Sequence, residues 1–311
     1  MRASPETCQF MDFRQLKYFM AVAEESNMGR AAARLHISQP PLTRQIQLLE
    51  ETIGATLFLR TAKGMELTDA GQLFLDGVRN IFALIEQTTE RTQRAEAGQL
   101  GRIDVGIFGS SILSLIPGLL LSYRTIYPDV KIVLHTMGKK EQIDALRNRT
   151  LAVGFNRLVW DTPDITAEVL MNERLYVAVN QTHALARQKE IAFSELASNP
   201  VVLFPSASRP NFIDYVMELC HAEGFHMQET QEVADAVTGV ALVGGGFGIC
   251  LVPESATALQ IPNVVYRPIK KVPAPTVDLS CLYRNDDQSP ILHNFLNVAR
   301  VYCKSQTPHG L

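Results

Sequence analysis

Between Ser38 and Arg44 the chain reads Ser-Gln-Pro-Pro-Leu-Thr-Arg, a run whose side chains can address a nucleic acid. Glutamine bridges the donor and acceptor of adenine, and arginine bridges the two acceptors of guanine. Gln39 and Arg44 are the candidates for those contacts. Ser38 can add a polar contact, and Pro40, Pro41 or the Thr43 methyl can meet a thymine methyl. Farther on, Arg60 and Lys63 can neutralise phosphates, which fix register without carrying sequence information. From Ser26 to Gly64 there are five basic residues, Arg30, Arg34, Arg44, Arg60 and Lys63, against the acidic Glu50 and Glu51. The whole chain carries a net charge of −3, so a polyanion would dock on this segment and not on the chain at large.

Other chemistry is not signalled. Gly244-Gly245-Gly246-Phe247-Gly248 lacks G-x-G-x-x-G spacing and precedes a strand, so a packing turn is expected. His221 and His226 stand five apart without the spacing of a metal site and read as surface residues. Neither a Walker loop nor a G-x-S-x-G elbow occurs. The five cysteines (Cys8, Cys220, Cys250, Cys281, Cys303) form no C-x-x-C, which argues against a disulfide framework and a zinc site. No catalysis, metal or cofactor is expected. No apolar run approaches the roughly 18 residues of a membrane span, and the first ten residues hold no signal-peptide core. A cytoplasmic location follows.

The elements that must hold these residues are legible in the periodicity. Leu16, Phe19, Met20 and Ala23 recur at helical spacing over 12–24. Met28–Leu35 is a short Ala-rich helix, and His36-Ile37-Ser38 a tight turn. Ser38 is placed to N-cap a third helix carrying Pro40 and Pro41 in its first turn. That order is a helix-turn-helix whose second helix enters the major groove. Leu57–Arg60 and Met65–Leu67, joined by Thr61-Ala62-Lys63-Gly64, read as a β-hairpin wing. Thr68 then caps a helix in which Phe74, Val78, Ile81 and Ile85 alternate spacings of four and three, extended by Gly71, Thr88 and Thr92. The run 68–97 would span roughly 45 Å, and its seam predicts a dimer. After a Gly-rich join at 96–101, strand runs at 103–108, 130–136, 152–155, 175–179, 201–204, 249–252 and 277–283 alternate with helical stretches. That alternation predicts an α/β domain with a largely parallel sheet.

Three stretches then identify a likeness: Phe13-Arg14-Gln15-Leu16-Lys17-Tyr18-Phe19, the run from Ala31 to Ile46, and Leu67-Thr68-Asp69-Ala70-Gly71. Together they resemble the LysR-type transcriptional regulators over about residues 11–303. Within that family the strings Met137–Gln142, Gly154-Phe155-Asn156-Arg157, Leu203-Phe204-Pro205, Arg209-Pro210-Asn211-Phe212 and Ser280–Arg284 are similar to activators of catechol and chlorocatechol degradation. The resemblance implies a winged helix-turn-helix over 11–68, a linker and dimerisation helix over 69–98, and an effector-binding domain over 102–311. The last would be an α/β domain like periplasmic binding proteins, with subdomain I at 102–171 and 276–303 and subdomain II at 172–275. Members begin near Met11, which makes residues 1–10 an extension without an assigned role. Implied partners are promoter DNA, RNA polymerase, a small carboxylate inducer and the chain itself as a dimer of dimers.

The resemblance also implies an effector cleft, and the residues there make chemical sense. Ser110 follows Phe108-Gly109, where glycine permits close approach and a hydroxyl can donate to a carboxylate. Lys139 opens a helix and opposes its dipole, so an anion would complete it. Relatives responsive to muconate or benzoate carry threonine there. Arg157 follows the third strand and can grip a carboxylate; an inter-subdomain ion pair is its rival role. Pro210 and Phe212 would supply an apolar wall. Two cations point to a dicarboxylate such as a muconate, with an aromatic acid as the other class. The competing reading is a cytoplasmic anion-binding module without DNA binding; an enzyme on the α/β domain is disfavoured because no nucleophile–base motif occurs.

Overall fold

A computed structural model of the chain describes residues 11–306 apart from 63 and 206–208. Its contacts divide into two compact units between Gln93 and Arg94.

The first unit holds α1 (Phe13–Glu25), α2 (Met28–Arg34), α3 (Gln39–Ile53), a hairpin of β1 (Phe58–Thr61) and β2 (Gly64–Leu67), and the start of α4 (Asp69–Glu96). Asp12 and Gln15 cap α1 reciprocally, with the Arg14 amide donating to Asp12 Oδ1 at 3.0 Å and the Asp12 amide to Gln15 Oε1 at 3.1 Å. Leu16, Phe19 and Val22 then bury against Ala31, Leu42, Ile46 and Leu49. His36 takes left-handed backbone (φ 55°), which turns the chain sharply between α2 and α3. Ser38 occupies the N-cap position of α3, yet its hydroxyl makes no capping bond. The reason is local: a cap accepts from the second or third helical amide, and here those residues are Pro40 and Pro41, which have none.

The wing is fastened at both strands. Glu50 near the end of α3 accepts from the Leu57 and Phe58 amides at 2.7 and 3.1 Å. The Met65 amide donates to the Ser26 carbonyl at 2.9 Å. Gly64 permits that approach: its φ is +130°, and a Cβ there would lie 2.3 Å from the Ser26 oxygen. Thr68 caps α4, its hydroxyl accepting from the Gly71 amide at 2.8 Å.

The second unit continues with β3 (Gly101–Ile107), α5 (Leu115–Ile126), β4 (Val130–Thr136), α6 (Lys139–Arg147), β5 (Val153–Asn156), β6 (Ile165–Asn180), β7 (Ile191–Ala192) and β8 (Pro200–Leu203). Then come α7 (Phe212–Ala222), β9 (Gln228–Glu232), α8 (Ala236–Gly244), β10 (Cys250–Pro253), β11 (Val264–Lys270), β12 (Thr276–Arg284) and α9 (Pro290–Gln306). The main sheet runs β4-β3-β5-β12-β6-β11-β7, with β10 also on β6. Two cores make two lobes. One gathers Val105, Ile116, Tyr123, Phe155 and Phe295; the other gathers Val177, Val202, Ile213, Val240 and Val252. The chain passes between them within β6, whose residues 165–174 pair with β12 and 175–180 with β10 and β11. It returns at 271–275.

The expected largely parallel sheet is corrected to a mixed one. β3 is parallel to β4 and β5, but every neighbour of β6 is antiparallel to it. β11, the segment 271–275 and β12 carry the chain back alongside β6, which makes both strands antiparallel to it. The Gly244–Gly248 segment is a turn, and Gly248 (φ +133°) lies against the Pro200 carbonyl, 2.2 Å from where a Cβ would stand.

Candidate nucleic-acid interface and effector cavity

The start of α3 is solvent-facing. Ser38, Gln39, Pro40, Pro41 and Arg44 are exposed, and Thr43 is half-buried. The Thr43 hydroxyl donates to the Gln39 carbonyl at 3.1 Å, which leaves its methyl as the group free for apolar contact. Arg60 on the wing is exposed; Lys63 lies outside the described residues. The five basic residues of this segment are not equivalent. Arg34 pairs with Glu24 at 2.8 Å and Arg30 with Glu25 at 3.4 Å, whereas Arg44 and Arg60 have no ion-pair partner among the described residues. Charge counting over 26–64 missed this because Glu24 and Glu25 stand just outside that window.

The apolar seam of α4 divides. Val78 is fully buried in the first unit's core, and Phe74 stacks edge-on against Phe19 at 5.0 Å. Val78 is therefore corrected from a partner contact to intradomain packing, whereas Phe74 is only half-buried there. Ile81 and Ile85 remain exposed, joined by Leu84 (62% exposed) and Leu73. Periodicity reveals an apolar stripe but not what covers it; here α1 covers the first turns.

Within the second unit a cavity of about 520 Å³ opens between the lobes, lined from both. Phe108–Ser110 reach it from the end of β3, Lys139 from the start of α6 and Asn156–Leu158 from the end of β5. Phe204, Pro205, Asn211, Phe212, Ala236 and Pro253 close it from the other lobe. Thus Ser110, Lys139, Arg157 and Phe212 are brought together. Pro210 is not: it is exposed and absent from the lining. Phe204 and Pro205 make that wall instead, with the Pro205 carbonyl held by the Asn211 amide at 2.8 Å. Phe212 serves both cavity and core, stacked on Phe204 at 5.4 Å.

The polar groups differ sharply in their freedom. The Ser110 residue is buried, and its hydroxyl makes no hydrogen bond among the described residues. Lys139 Nζ donates to the Leu158 carbonyl at 2.7 Å and lies 5.1 Å from the Trp160 ring centroid. No carboxylate stands within ion-pair distance of it among the described residues. Burial pulls its pKa below the ordinary lysine value, and the more distant Asp278 and Asp214 oppose that shift. Arg157 is different. Its guanidinium pairs with Glu173, whose side chain is 2% exposed, and also donates to Ser255 Oγ at 3.2 Å and to the Asp278 carbonyl at 3.4 Å. Glu173 in turn accepts from the hydroxyls of Ser114 and Ser255 at 3.4 and 3.3 Å. The two free cations expected from sequence are therefore one free cation and one buried ion pair.

Asn156 is a lining residue that sequence reasoning did not single out. Its side-chain oxygen accepts from the Arg157 amide at 3.0 Å, while its buried amide nitrogen has no partner among the described residues. An asparagine closing the wholly buried strand 153–156 was the available signal.

Residues 13–72 match the bacterial regulatory helix-turn-helix proteins of the lysR family, and residues 96–304 match the LysR substrate binding domain. The HTH-type transcriptional regulator TfdS of Cupriavidus pinatubonensis is 40% identical over 290 residues, covering 93% of this chain and 98% of its own. The crystal structure of full-length CbnR complexed with its target DNA is similar with a TM-score of 0.83 at 36% identity, over 94% of this chain and 100% of that one. The BenM effector binding domain with its effector benzoate is similar with a TM-score of 0.61 at 31% identity, over 68% of this chain and 97% of that one.

Proposed function

Because the chain belongs to the LysR family of transcriptional regulators, we propose that it activates genes of aromatic-compound catabolism when a small carboxylate fills the cavity between its lobes. The N-terminal part of α3 reads bases through Gln39 and Arg44, and Arg60 with Lys63 holds phosphates. α4 joins two chains through its exposed stripe, and two such dimers form a tetramer on promoter DNA in the cytoplasm. Effector binding changes the arrangement of the dimers, which exposes contacts for RNA polymerase. That step requires the effector to bind one arrangement better than the other. No described helix is long and apolar enough to cross a membrane.

The observation that carries the effector role is the Ser110 hydroxyl, without a hydrogen-bond partner among the described residues, and the Lys139 ammonium, without an ion-pair partner among them, set against aromatic walls. Hydroxyl and ammonium donors beside Phe108, Phe204 and Phe212 suit an acid with an apolar body. An aromatic acid, or the muconate left by ring cleavage, has that form, and BenM's effector is an aromatic acid. The test is a gel shift of the full chain on a promoter fragment carrying a T-N11-A palindrome, with and without benzoate or cis,cis-muconate. Binding to the fragment and an effector-dependent change in mobility are expected. Acid binding by calorimetry without any DNA affinity would refute the regulator reading.

A further inference from the structure

What holds Lys139 charged in an apolar cavity is left open by the effector reading, on which the inference here rests. A cation withdrawn from water is ordinarily met by a carboxylate. Here Asp278 and Asp214 act on the ammonium only from beyond ion-pair distance. Its own helix does not help. α6 presents the positive end of its dipole there, and Glu141 is spent on the cap, accepting from the Gly138 amide at 2.8 Å. The ammonium has instead one hydrogen bond, to the Leu158 carbonyl at 2.7 Å, and the ring of Trp160 at 5.1 Å. Lys271 is the contrast: it lies 5.3 Å from the Phe193 ring but is also paired with Glu223 at 2.7 Å. At Lys139 the aromatic face has no carboxylate beside it among the described residues.

The segment that carries this ring is fastened at both ends. The Leu158 amide donates to Asp278 Oδ1 at 3.2 Å, and the Leu158 side chain packs on the core of the other lobe. The Trp160 carbonyl accepts from the Thr162 hydroxyl at 3.1 Å. Trp160 is nonetheless 48% exposed, so only half of its large surface is withdrawn from water.

We propose that Trp160 is a positioning residue of the effector site: its ring takes the place of a counter-ion and holds Lys139 charged at the cavity wall. A carboxylate counter-ion would cancel the charge that an acid has to meet. The ring quadrupole stabilises the cation without cancelling it. An ammonium has three donors; one is given to Leu158, and two remain for the acid.

The test measures binding of benzoate and of cis,cis-muconate to the full chain by calorimetry. Trp160→Leu should weaken binding about tenfold, and Trp160→Phe should fall between, since phenylalanine offers a weaker face. A Lys139→Thr background keeps a donor without the charge. There Trp160→Leu should change affinity by less than about twofold, because the ring acts only through the ammonium. Lys139→Thr alone should shift the emission of Trp160, the chain's single tryptophan. A Trp160→Leu protein of wild-type helix content and wild-type affinity overturns the proposal. So does an equal loss in both backgrounds, which would make the ring structural. Unchanged Trp160 emission in Lys139→Thr overturns it even where Trp160→Leu fails to fold. If the wild type binds neither acid, the effector reading falls and the proposal with it.

Discussion

Replacing Leu84 by aspartate separates assembly from folding. The side chain is 62% exposed on α4, beside Ile81 and Ile85. Full burial of a leucine contributes about 2 kcal/mol, so covering the part still exposed contributes about 1.2 kcal/mol. A two-fold axis places the residue in the interface twice, which gives about 2.5 kcal/mol, or roughly seventyfold in the dimer dissociation constant. Aspartate adds the cost of desolvating a charge, so the measured loss should exceed that figure. Sedimentation velocity across a dilution series should show lighter particles, while helix content and melting temperature stay within error of the wild type. Val78→Asp is the contrast: Val78 is fully buried in the first unit, and a charge there should unfold that unit. A Leu84→Asp protein with wild-type mass at all dilutions would mean that α4 does not join the chains. A Leu84→Asp protein that unfolds would mean the stripe is covered within the chain.

Arg44→Ala should cost about 1–3 kcal/mol of promoter affinity and relax the base preference; unchanged competition titrations would place Arg44 outside the groove. Ser110→Ala should weaken acid binding by about 0.5–1.5 kcal/mol without altering operator affinity, measured by calorimetry and gel shift; equal acid affinity would make Ser110 structural. Arg300 holds the Glu168 carboxyl below the usual carboxylate range through a hydrogen-bonded ion pair at 2.7 Å. Such a pair stabilises the fold above the unfolded carboxylate pKa of about 4.3 and stops contributing as pH falls through the lowered folded value. Arg300→Met should therefore lose about 1 kcal/mol at pH 7 in urea titrations and converge with the wild type in strong acid; a difference that persists there would locate the effect in packing.

Local patterns survived into the structure, and non-local ones did not. The helix-turn-helix was legible because Leu16, Phe19, Leu42, Ile46 and Leu49 announce their own burial through spacing. β6 was legible only at 175–179, because residues 165–174 include Glu168, Asn172, Glu173 and Arg174, which do not read as a strand. Their partner β12 lies about a hundred residues away. The α4 seam was visible, but its division between Val78 and Ile81 depends on where α1 ends in space. Ser38 kept the place of a cap and lost the bond, because the prolines that marked the helix start also removed its donors.

The cavity shows the same limit in its electrostatics. Ser110, Lys139 and Arg157 all line the cavity, since in α/β folds the ends of strands face the cleft. Their charge state was not readable, because Glu173 and Ser255 reach Arg157 from 16 and 98 residues away. That arrangement also constrains how a ligand can switch the protein. The Arg157 cluster already joins Ser114 and Asp278 of one lobe to Ser255 of the other, so an acid that leaves the cluster intact changes nothing there. Ser110 and Lys139 on one lobe and Phe204 and Phe212 on the other line the same cavity. An effector long enough to touch both sets stabilises the approach of the lobes, whereas one that touches a single lobe binds without shifting the equilibrium.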